Sequence, residues 1–146
     1  MTSPQENSHF PRSSSKPWQI GLWTAQVLLA ALYIVPGVLK TSMAPAALAS
    51  MGIAWATDVP IWFLRFIGLC ELAGALGLIL PALTRIKPQL TFIAAACLIL
   101  LQVLAIGFHA IRGETAQVLP MNIMYLALAV FVYWGRTQKL PIQPRD

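Results

Sequence analysis

The chain has 146 residues and a formal net charge of +5, with 58% of its residues hydrophobic and 10% charged. A soluble domain carries roughly 25% charged residues, so this chain lacks the charge to clothe a water-facing surface, and lipid must be part of its solvent. Its Lys and Arg residues sit mostly at the ends of apolar runs and form no basic face interleaved with aromatics, which sets nucleic acid aside as a partner.

Residues 1–17 are polar and rich in Ser and Pro, including Pro4, Pro11, Ser13, Ser14, Ser15 and Pro17. Such a segment buries little and predicts a disordered cytoplasmic tail. Four apolar stretches follow, over 18–39, 61–83, 89–110 and 116–135. Each is close to the ~20 residues that cross the hydrocarbon core. Spanning backbone must satisfy its own hydrogen bonds, so each stretch predicts a helix. The expected fold class is all-α: a four-helix transmembrane bundle over 18–136, followed by a second cytoplasmic tail over 137–146. The first run exceeds the ~7–15 residues of a signal-peptide core and reads as a retained helix.

Pro60 and Pro88 precede the second and third helices, where a missing N–H costs little. Trp18, Trp62, Tyr133 and Trp134 fall at predicted water–lipid boundaries. With both termini inside, the cytoplasmic segments hold Arg12, Lys16, Arg85, Lys87, Arg136, Lys139 and Arg145, against Lys40 and Arg112 in the outer loops. That bias predicts a multi-pass protein of the inner (plasma) membrane with both termini cytoplasmic. The first outer loop, 40–60, is the longest connection. Leu48, Met51 and Trp55 are spaced i, i+3, i+7, which predicts a short helix lying flat in the outer interface; the alternative is an irregular apolar loop packed on the bundle.

Few polar groups lie within the spans, and ionisable residues at membrane depth are functional candidates by default. Glu71 sits about eleven residues into the second helix, roughly 16 Å deep at 1.5 Å per residue. A carboxylate there must be protonated, paired or facing water. Gly68, Gly74 and Ala75 flank it on one helical face, and small residues admit a neighbouring helix, so Glu71 is expected to face the bundle interior. Arg65 lies about 120° around the axis from Glu71 and about 9 Å along it; it is either an interfacial anchor that snorkels or part of a site. Depth matching brings Arg65, His109, Glu114 and Asn122 together in the outer half of the bundle, with Glu71 and Gln102 beneath. This set reads either as a polar pocket that binds a quinone head group or relays protons, or as a network that fixes helix packing. Cys70 and Cys97 form no C-x-x-C pair and read as small apolar fillers. His9 and His109 are the two histidines, and His9 lies in the tail, so one chain cannot offer a bis-histidine haem site; no Cys/His cluster offers zinc ligands.

The stretch from Phe66 to Arg85, FIGLCELAGALGLILPALTR, resembles the second-helix signature of the DoxX-like family of small four-helix membrane proteins, with Gly68, Glu71, Gly74, Gly77, Pro81, Thr84 and Arg85 as the matching elements. Pro36-Gly37 with Lys40, His109 with Arg112-Gly113-Glu114, and Asn122 leading to Tyr133-Trp134-Gly135-Arg136 fit the same pattern, so the resemblance covers about residues 20–136. It implies an accessory subunit of a membrane redox system, quinone-linked or tied to oxidative stress, with no catalytic activity of its own and an oxidoreductase or a second copy of the chain as partner. No redox cofactor motif is visible, and a quinone is the ligand class that the resemblance suggests. The alternatives are a small proton-coupled transporter that uses Glu71 and a structural or assembly protein of the membrane.

Overall fold

The computed structural model describes residues 15–145. Most of the expected N-terminal tail therefore lies outside the described residues; Ser15 to Pro17 already belong to the first helix. The elements are α1 (Ser15–Ser42), α2 (Pro45–Ser50), a 3₁₀ turn (Ala54–Thr57), α3 (Ile61–Thr84), α4 (Gln89–Ile111), α5 (Thr115–Trp134) and a π-helical turn (Gly135–Lys139). Among the described residues there is no strand, and four helices are long and apolar enough to cross a membrane. The protein is an all-α, four-helix membrane bundle.

The helices pack in the ring order α1, α3, α4, α5. We call the end bearing Ser42 and Ile61 outer and the end bearing Trp18 and Trp134 inner, after the orientation that the charge count predicts. The core uses small residues where helices meet: Ala25, Ala30, Ala75, Ala94, Ala95 and Ala129 are buried with Leu29, Leu78, Leu98 and Val132. In lipid, helix association rests on such close packing, because lipid tails are as apolar as leucine. The opposite faces carry exposed Leu69, Leu80, Leu83, Leu100 and Leu104, the surface a lipid-solvated bundle requires.

Two findings differ from the sequence expectation. First, α1 continues past Leu39 to Ser42, so Lys40 is a buried helical residue and not a loop cation. Second, the face Leu48–Met51–Trp55 does not run through one helix. Chain direction changes at Gly52, whose φ of 98° suits glycine, leaving α2 before it and the 3₁₀ turn after it. Leu48 is buried with Ala56 and Leu64, Trp55 packs against them, and Met51 stays exposed. The outer segment is thus a folded cap on the bundle.

Candidate functional site

The outer half of the bundle is organised by two glycines. A Cβ on Gly68 would stand 2.9 Å from the carbonyl oxygen of Gly37, and a Cβ on Gly37 would stand 2.9 Å from Leu72 Cγ. The backbones of α1 and α3 therefore touch there, which only glycine permits. Each glycine is followed three residues later by a charge, Lys40 on α1 and Glu71 on α3. The close approach brings Lys40 Nζ to 2.5 Å from Glu71 Oε1. Lys40 is 8% exposed and Glu71 6%, so this is an interior ion pair. Farther along α3, a Cβ on Gly74 would collide with Leu98 of α4. Glu71 is thus enclosed between two close helix crossings.

Arg65 donates from Nη1 to the carbonyl oxygen of Lys40, 2.6 Å away. Lys40 lies in the last turn of α1, where carbonyls lack helical partners, so Arg65 caps α1 and fixes the backbone that carries Lys40. Its side chain does not line the cavity described next.

A cavity of about 320 Å³ lies among the outer halves of the four spanning helices, within the ~300–1,000 Å³ usual for small-molecule sites. Its walls are largely aromatic and aliphatic: Tyr33, Trp55, Phe63, Phe66, Phe108 and Tyr125 contribute rings. Its polar lining comes from Lys40, Glu71, Gln102, His109 and Asn122. Phe66 and Leu104 both line it and are well exposed on the bundle surface, so the cavity shares a wall with the lipid-facing exterior.

Its polar groups form a chain. Tyr33 OH donates to Gln102 Oε1 at 2.9 Å, and Gln102 Nε2 donates to Asn122 Oδ1 at 2.7 Å. That leaves Asn122 Nδ2, a buried donor, without a partner among the described residues. Glu71 Oε2, a buried acceptor, is likewise unpartnered. A buried polar group left unsatisfied costs about 1–3 kcal/mol, and both of these belong to residues that line the cavity. Pro36 shapes the same wall. It lacks an N–H, which frees the carbonyl of Leu32 one turn back, and Tyr125 OH donates to that oxygen at 3.1 Å.

The outer rim is tied by an ionic latch. Arg112 Nη2 donates to Asp58 Oδ2 at 2.7 Å and Arg112 Nε to Glu114 Oε1 at 2.9 Å, while His109 Nδ1 lies 2.9 Å from Glu114 Oε2. The His109 hydrogen bond, helped by Arg112, holds the Glu114 carboxyl below its usual value, and Asp58 and Glu114 hold the Arg112 guanidinium above its own. Trp55 meets Phe108 edge to face at 5.6 Å beneath this latch. The latch joins the first outer segment to the α4–α5 connection across the mouth of the cavity.

Of the six residues singled out from sequence, Glu71, Gln102, His109 and Asn122 line the cavity, Glu114 holds His109 from the rim, and Arg65 caps α1. The sequence reading missed Lys40, counted as a loop cation, and the tyrosines Tyr33 and Tyr125. The repeated spacing Gly37-x-x-Lys40 and Gly68-x-x-Glu71 is the signal that pairs the two charges.

The sequence profile of the DoxX-like family matches residues 24–132. Comparison with curated proteins and with solved structures gives no match.

Proposed function

The chain belongs to the DoxX-like family of membrane proteins, and from that premise we propose that its outer cavity holds a quinone head group, the chain acting as an accessory subunit of a membrane redox system. One observation carries this reading: an aromatic-walled cavity is lined by Asn122 and Glu71, whose buried Nδ2 donor and Oε2 acceptor have no partner among the described residues. A quinone carbonyl accepts from an amide N–H, and the hydroxyl of its reduced form donates to a carboxylate. The flat ring suits edge and face contacts with Trp55, Phe108 and Tyr125, and the isoprenoid tail suits an exit past Phe66 and Leu104 into lipid. In this reading electron transfer belongs to an oxidoreductase partner, and the chain binds and orients the quinone. The excess of cations on inner segments supports an orientation with both termini in the cytoplasm.

Trp55 lines the cavity, so a quinone bound there quenches its fluorescence. Titration of the purified protein with a short-tailed benzoquinone is expected to give saturable quenching that is lost in Trp55→Phe and weakened in Asn122→Leu. Linear, unsaturable quenching that is indifferent to Asn122 would refute the assignment.

A second reading, a proton-coupled transporter centred on Glu71, is favoured by the unpartnered Oε2 of that buried carboxylate. It requires proton-dependent flux in liposomes that disappears in Glu71→Gln.

A further inference from the structure

The inner end of the bundle holds a second buried polar centre, unconnected with the outer cavity. Arg136 is 3% exposed, yet no carboxylate among the described residues pairs with it. Asp58, Glu71 and Glu114 all lie in the outer half. The guanidinium is held instead by neutral oxygens: Nε donates to Gln26 Oε1 at 2.6 Å and Nη1 to Gln19 Oε1 at 3.1 Å. Nη2 is buried and has no partner among the described residues. The Trp23 ring lies 5.6 Å from the guanidinium carbon.

This placement is built by the fold. Residues 135–139 form a π-helical turn, a rare geometry that recurs at functional sites. It starts at Gly135, whose missing side chain leaves room for Leu22 of α1, and it turns Arg136 inward. Gln26 is fully buried and also donates to the carbonyl of Leu78 on α3, at 2.8 Å, so its oxygen is fixed as an acceptor for Arg136. Gln19, by contrast, is exposed. Lys139, one turn on, lies against Trp18 and Trp134 at the same boundary. The chain thus buries a cation, spends its fixed hydrogen bonds on holding that cation in place, and closes it toward the interface with one movable neutral side chain.

A buried charge without a counter-ion is costly unless an anion reaches it. At this depth the available anion is the phosphate of a lipid head group. We infer that Arg136, gated by Gln19 and flanked by Lys139, is a binding site for the head-group phosphate of an anionic phospholipid at the inner end of the bundle. The phosphate takes the place of the Gln19 oxygen, bonds Nη1 and Nη2 in the paired geometry that arginine offers to phosphates, and meets Lys139 at its outer edge.

The test uses the full chain, purified and delipidated, then returned to phosphatidylglycerol or phosphatidylcholine and examined by native mass spectrometry and thermal unfolding. Retention of phosphatidylglycerol over phosphatidylcholine is expected at about tenfold or more, the value of one charge-assisted hydrogen bond, with a matching rise in Tm. Arg136→Gln is expected to abolish the preference. Because that variant also removes the buried donor to Gln26, Gln19→Glu decides the matter: it places a carboxylate on Nη1 at 3.1 Å range, and it is expected to raise the Tm of the lipid-free protein while removing the phosphatidylglycerol preference. A preference that survives Gln19→Glu would overturn the site. Equal stabilisation by inorganic phosphate at matched concentration would overturn the lipid as its source. Absence of any preference would equally overturn it.

Discussion

Lys40→Met removes one half of the ion pair at the centre of the outer bundle and leaves Glu71, 6% exposed, with neither oxygen partnered among the described residues. Stranding one charge of a buried pair costs about 3–5 kcal/mol. For a chain of this size roughly 2–4 °C of Tm corresponds to each kcal/mol, so the loss is on the order of 10 °C. Glu71→Gln strands Lys40 in the same way, since a neutral amide replaces the carboxylate 2.5 Å from the ammonium. The double variant Lys40→Met/Glu71→Leu removes both charges and fills both volumes, and buried pairs replaced by apolar residues are often neutral. Glu71→Leu alone strands Lys40 likewise, and thermal unfolding of the parent, Lys40→Met, Glu71→Leu and the double variant in one detergent forms a double-mutant cycle. The expected result is two destabilised single variants and a double variant within about 1 kcal/mol of the parent. Additive losses would show that the two charges are not coupled, and the pairing that organises the site would be refuted.

Gly68→Ala places a methyl 2.9 Å from the Gly37 carbonyl and 3.0 Å from Lys40 Cβ, so α1 and α3 must separate, at about 1–3 kcal/mol by thermal unfolding; an unchanged Tm contradicts the backbone contact. Tyr125→Phe removes the donor to the Leu32 carbonyl and is expected to cost about 1–3 kcal/mol. The same substitution in a Pro36→Ala background costs less, because the restored N–H can serve that carbonyl; equal losses would disconnect Tyr125 from the proline. The latch gives a pH dependence. Glu114 is held below the usual value of 4.5 by His109 and then Arg112. A lowered folded-state value stabilises above the unfolded value and is lost as pH falls through the folded one. Trp55 fluorescence should therefore hold steady on acidification until below pH 4.5, with the transition absent in Glu114→Gln; a midpoint near neutrality contradicts the assignment.

Much of the architecture is legible in the chain because the bilayer leaves few options. Four apolar runs of spanning length must be helices, and the boundary residues Trp18, Trp62, Tyr133 and Trp134 are indeed exposed near helix ends. Depth along a helix is a count of residues, so Glu71 and Gln102 could be set at neighbouring levels before any packing was known, whereas Asn122, placed above them with Arg65, His109 and Glu114, bonds Gln102 directly. What the count lacks is rotation about each axis. That is why Arg65 looked equally suited to anchor and site, and why the Tyr33–Gln102–Asn122 order was not visible. Lys40 was misplaced for a different reason: hydropathy ends an apolar run at its first charge, whereas the α1 helix continues to Ser42 because Glu71 neutralises that charge from the neighbouring helix. In the outer segment, spacing alone could not register Gly52, whose left-handed backbone splits the face that Leu48, Met51 and Trp55 seem to share on paper. Arg136 was counted as an inner topology signal, and nothing in its local sequence announces the π-turn that buries it.

The most direct test of the central claim is the quinone content of the purified protein. Chain extracted from quinone-containing membranes and washed in detergent is expected to retain quinone in stoichiometric amount, measured by mass spectrometry of the organic extract. Asn122→Leu, which removes the unpartnered Nδ2 and the acceptor of Gln102 Nε2 at a cost of about 1–3 kcal/mol while leaving the Lys40–Glu71 pair in place, is expected to fold and to lose that quinone. Quinone at the level of an unrelated membrane protein, or equal amounts in the parent and Asn122→Leu, would contradict the account.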